Sequence, residues 1–99
     1  MNFKTGKLYQ IKKFIWLLYP TKDIAAGDAA ALAASTAEAA YLSKELNCNI
    51  SYISENSILC LLEQDGKYLK VISSNGESGW MIYWEDEACT GGVEELKET

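Results

Sequence analysis

Histidine and arginine are both absent from the 99 residues, and proline occurs once. Without histidine the chain has no imidazole base and no imidazole metal ligand, so any triad built on histidine is excluded. All nine basic residues are lysine. The guanidinium fork that reads guanine edges and clasps phosphates is therefore missing. With a net charge of −5 and an isoelectric point near 4.6, general attraction to nucleic acid is not expected either. Long apolar runs are lacking: the longest run of large apolar residues, 14–19, falls far short of the roughly twenty residues that span a bilayer. The lysine-dotted, strand-like residues 1–10 carry no secretory pattern, and a soluble intracellular protein is expected.

Cysteine is scarce and odd in number. Cys48, Cys60 and Cys89 contain no CxxC pair, which fits free thiols in a reducing cytoplasm. Cys60, between Leu59 and Leu61, is expected in the core. Cys89 follows Glu85, Asp86 and Glu87, an acidic setting that disfavours a reactive thiolate. Those three acids lack the spaced ligands and turn glycine of a calcium loop and read as a solvated loop. Gly91-Gly92 lacks the lysine and hydroxyl residue of a phosphate loop and reads as a turn. The expectation is a non-enzymatic protein with no catalytic, cofactor or metal site.

What is present centres on residues 57–84. Three runs rich in β-branched and aromatic residues, 58–63, 67–73 and 78–84, are separated by Asp65-Gly66 and Asn75-Gly76, pairs suited to two-residue hairpin turns. A three-strand antiparallel meander follows. The series Tyr68, Val71, Gly76, Gly79 and Trp80 resembles the second half of bacterial SH3-type barrels, with Tyr68 where that family usually carries tryptophan. The resemblance implies a small SH3-like barrel in which Gly79 lets the backbone bend or approach closely and Trp80 lies near the closing strand. It further implies an aromatic ligand groove, for which Tyr68, Trp80, Tyr83 and Trp84 are the candidates.

Residues 7–19 read as the first strand. Tyr9, Ile11, Ile15, Leu17 and Tyr19 share one face, and Phe14, Trp16 and Leu18 form an apolar outer face that needs a cover. That cover is expected to be another copy of the chain or the segment that follows. Pro20 ends the strand, and the alanine-rich residues 21–47 read as a helical insertion. It is either one helix broken in two near Gly27-Asp28 or a firm helix over 37–46, opened by a capping box at Ser35 and Glu38. Residues 48–53 read as a short second strand and residues 93–97, with Glu94 and Glu95, as a helical turn.

Charge is uneven: residues 1–22 carry +5 and the remainder −10. Lys4, Lys7, Lys12 and Lys13 suit the protection of a strand edge, the favoured reading, or contact with phosphates. A barrel of this size also resembles Sm-like proteins, whose fold implies ring assembly through strand edges and RNA binding in loops. The Arg-Gly or Lys-Gly step of that family is here Ser78-Gly79. More loosely, residues 14–25 with 41–54 resemble uncharacterised small proteins of marine tailed phages, which imply no activity. The expectation is one mainly β domain over residues 1–99: a five-stranded SH3-like or Sm-like barrel with a helical insertion between strands 1 and 2. It is expected to be a protein-binding or assembly module, self-associating through Phe14, Trp16 and Leu18. An RNA-binding oligomer is the alternative.

Overall fold

A computed structural model describes residues 3–28, 32–33, 35–83 and 91–96. The protein is mainly β. Its described elements run β1 (Leu8–Ile11), β2 (Ile15–Leu18), α1 (Lys22–Asp28), β3 (Leu32–Ala33), α2 (Thr36–Glu45), β4 (Ser51–Ile53), β5 (Ile58–Asp65), β6 (Tyr68–Ser73), β7 (Ser78–Ile82) and β8 (Val93–Glu95). A five-stranded antiparallel sheet has the order β7-β6-β5-β1-β8, and a second, three-stranded sheet has the order β3-β2-β4. Among the described residues one backbone bridge links the two sheets. Tyr19, just beyond β2, pairs with Trp80 of β7, each amide donating to the other's carbonyl at 2.8 Å. A closed barrel does not form among the described residues.

The meander β5-β6-β7 forms as expected, but its turns differ in detail. Asp65 pairs with Tyr68, so the first turn is Gly66-Lys67, with Gly66 at φ 59° in the first central position. The second is a three-residue loop. The Ser73 amide donates to the Glu77 carbonyl and the Gly76 amide to the Ser73 carbonyl, with Gly76 at φ 91°. Only the glycine of each pair takes the left-handed conformation, which relieves Asp65 and Asn75 of it.

The single strand expected over residues 7–19 is two strands in different sheets. The chain turns at residues 12–14: the Lys12 and Lys13 amides both donate to the Gly92 carbonyl, and Phe14 adopts φ 73°. This corner resets the alternation. Tyr9 and Ile11 point into the core, while beyond the corner Trp16, Leu17, Leu18 and Tyr19 are all buried.

The helical insertion is broken in two, but the break falls after Gly27 and Asp28, which belong to α1. The Thr21 hydroxyl caps α1 by accepting from the Ile24 amide at 3.2 Å. Ser35 occupies the N-cap position of α2 with an extended backbone but makes no side-chain cap bond, so that half of the expected capping box does not form. The exit of α2 explains why β4 starts later than residue 48. Asn47 sits at φ 51°, its amide donates to Lys44 and the Cys48 amide to Ser43, a Schellman arrangement. At the C-terminal side, Val93–Glu95 is a strand, not a helical turn. It pairs with β1, where Val93 is buried opposite Ile11, because the outer edge of β1 offers backbone partners.

The core lies between the inner face of the large sheet (Tyr9, Ile11, Leu59, Leu61, Leu69, Val71, Met81, Val93) and the β2 residues Trp16, Leu17 and Leu18. Burial of each large side chain contributes roughly 1.5–3 kcal/mol. Tyr83 stacks on Trp16 with centroids 5.8 Å apart and planes 6° from parallel, and Phe3 meets Tyr83 edge-on at 4.8 Å.

Candidate functional site

Strand alternation turns every second residue of the large sheet outward, and on the central strands several of these are apolar. Leu8 of β1 lies opposite Cys60 of β5, Cys60 opposite Ile72 of β6, and Ile72 opposite Ser78 of β7. Ile58 adjoins this row opposite Gln10. The register slips between Leu61 and Glu63, and the extra residue is Leu62. Leu8, Ile58, Leu62 and Ile72 are each between 36% and 48% exposed. The result is an apolar patch on the outer sheet face. Glu63 and Lys70, paired across β5 and β6, stand beside it, and Gln10 and Glu94, paired across β1 and β8, lie on its other side.

The far part of the same face is covered by the chain itself. Helix α1 packs against β7, and Ile82, opposite Tyr68, is fully buried. Lys22 of α1 forms an ion pair with Asp65 and lies with Nζ 5.9 Å from the centre of the Trp80 ring. The hydrogen bond to Asp65, followed by its charge, raises the Lys22 pKa above the ordinary lysine value.

Trp16 and Leu18 are buried in the chain's own core, so the outer face expected of Phe14, Trp16 and Leu18 does not exist; the corner at Phe14 turns both inward. Phe14 alone of the three is exposed, at 43%. Of the expected groove, Tyr83 is a core residue stacked on Trp16, Tyr68 and Trp80 are half-buried on the face that α1 covers, and Trp84 lies outside the described residues. Cys89 and the acidic run Glu85, Asp86, Glu87 also lie outside them. Cys60 is half-buried on the outer face and not in the core, because Leu59 and Leu61 take the inward parity. Lys4, Lys7, Lys12 and Lys13 are all exposed, but Lys4 and Lys7 precede β1 while Lys12 and Lys13 follow it, a separation of roughly 13 Å along a four-residue strand.

A second concave feature runs along β4, an edge strand of the small sheet among the described residues. Two hollows of about 240 and 390 Å³ share Ser51, Tyr52 and Glu77 as walls.

No family model, curated protein or solved structure matches this chain. No helix among the described residues is long and apolar enough to cross a membrane.

The residues missed at the sequence level are Leu8, Ile58, Leu62 and Ile72. Their signal was the run 58–62, apolar at every position, which marks a strand buried on both faces. Residues 14–18 carry the same mark, and there Trp16, Leu17 and Leu18 are buried within the chain itself.

Proposed function

We propose that this chain is a non-enzymatic assembly module of the SH3-like type, whose copies associate through the outer face of the five-stranded sheet. The observation that carries the reading is the cross-strand row Leu8, Cys60 and Ile72 with Ile58 and Leu62 beside it, an apolar surface that α1 leaves open. A contiguous exposed patch of this kind marks an interaction surface more often than scattered apolar residues do. Glu63 and Lys70 stand side by side at its margin, so a two-fold arrangement can set the lysine of one copy against the glutamate of the other. The SH3-like proposal rests on the meander and on Gly76, Gly79 and Trp80, with Gly79 at a close backbone approach, one of the two roles expected of it.

An intracellular setting is part of the proposal; Cys48 and Cys60 as free thiols support it. The four N-terminal lysines, split to the two ends of β1, are better suited to guarding strand ends than to tracking a phosphate backbone. The test is solution mass for the native chain and for Leu62→Lys and Ile72→Lys. Association that both variants weaken supports the proposal, and a native chain that stays monomeric at all concentrations overturns it.

A further inference from the structure

The groove along β4 is chemically unlike the assembly face. Among its walls are Ser51, Tyr52, Ser73, Asn75 and Glu77, and no lysine among the described residues lines either hollow. One carboxylate and no cation make it a poor receptor for phosphate or any other anion. The larger hollow, about 390 Å³, falls within the range of small-ligand sites, and the one that Asn75 lines, about 240 Å³, lies just below it.

The polar side chains are held in place by one another. The Ser51 hydroxyl donates to Glu77 Oε2 at 2.8 Å. Ser73, only 7% exposed, donates its hydroxyl to Asn75 Oδ1, and the Glu77 amide donates to the same oxygen at 3.4 Å. Both bonds to Asn75 fall on its carbonyl oxygen, which leaves its NH₂ group as a donor, and Glu77 keeps Oε1 as an acceptor. A fixed donor and a fixed acceptor two residues apart match a ligand whose neighbouring groups both accept and donate. Adjacent sugar hydroxyls do this: one accepts from the amide while the next donates to the carboxylate. Tyr52, two-fifths exposed and common to both hollows, adds an aromatic surface for the C–H face of a ring.

We propose that the β4 groove binds a neutral carbohydrate, with Asn75 and Glu77 engaging adjacent hydroxyls and Tyr52 carrying the apolar face of a sugar ring. The site is separate from the assembly face and stands or falls independently of it. An extended peptide pairing with the β4 edge would use the backbone, whereas the fixed side chains here are arranged around the groove.

The test is a titration of the intact chain, followed by amide NMR shifts, with maltose, cellobiose, lactose and N,N′-diacetylchitobiose, and with tetraglycine as the peptide comparison. The expected result is saturable shifts at Ser51, Tyr52 and Glu77 with at least one sugar, at a Kd on the order of 1 mM, and no shifts on β1 or β5. Tyr52→Ala and Asn75→Asp, the second of which keeps the accepting oxygen but removes the donor, each weaken binding by about tenfold. Three outcomes overturn the proposal: no saturable shift with any of the four sugars at about 50 mM, groove shifts unchanged in both variants while their remaining spectra stay native, or groove shifts produced by tetraglycine and by no sugar.

Discussion

Gly79 lies against the carbonyl of Tyr19 so closely that a Cβ built on it stands 2.8 Å from that oxygen and 3.3 Å from the Leu18 Cβ. The neighbouring residue, Trp80, exchanges both backbone hydrogen bonds with Tyr19 at this crossing. The only described bridge between the two sheets therefore depends on a residue without a side chain. The atom in the way is backbone and is tied to its partner strand, so it cannot swing aside. Gly79→Ala is expected to lose about 1–3 kcal/mol in urea unfolding. Gly27→Ala, in α1 with nothing within 4 Å of the added carbon, is expected to be neutral or to gain up to about 1 kcal/mol.

Phe14 takes φ 73° at the corner between β1 and β2, a conformation that L residues other than asparagine and aspartate adopt reluctantly. Replacement by asparagine and by valine removes the ring in both cases, so the comparison isolates the backbone. The asparagine variant is expected to be more stable than the valine variant by about 1–2 kcal/mol. Equal stabilities would mean that the corner relaxes out of the left-handed region.

The Lys22–Asp65 pair ties α1 to the first hairpin of the large sheet. Because Asp65 raises the folded-state pKa of Lys22 above 10.5, the folded chain holds that proton more tightly than the unfolded chain. The contribution is therefore full below pH 10.5 and is lost as pH rises through the higher folded value. The melting temperature of the native chain is expected to exceed that of Lys22→Met slightly at pH 7–9 and to converge on it above pH 10.5. Both side chains are substantially exposed, so raised salt shrinks the same difference. A difference that is unchanged at high pH would assign the effect to packing of the lysine stem.

The fold was legible wherever local chemistry decided the structure. Gly66 and Gly76 mark the two reversals that build the meander, and the change at Pro20 marks where the second sheet gives way to helix. What escaped depended on contacts distant in sequence. Nothing local in Lys12, Lys13 and Phe14 announces a corner; the Gly92 carbonyl, some eighty residues on, accepts both lysine amides and fixes it. That corner reversed the reading of Trp16 and Leu18, whose burial against Tyr83 and the large sheet follows from the turn and not from strand parity. The sequence neighbours of Val93 likewise favour a helix, whereas pairing with the edge of β1 decides its conformation. The β4 groove was invisible because Ser51, Asn75 and Glu77 meet only after the hairpin and the second sheet have formed.

Association through the outer sheet face is tested most directly by sedimentation equilibrium of the native chain beside Ile72→Lys across a concentration series. Ile72 is the outward residue at the middle of the row, opposite both Cys60 and Ser78, so a lysine there leaves the core untouched. The account predicts a native mass that rises with concentration to at least twice that of the chain, and a variant that stays monomeric with a native circular dichroism spectrum. A native chain that remains monomeric throughout, or a variant that associates as strongly as the native chain, would contradict it.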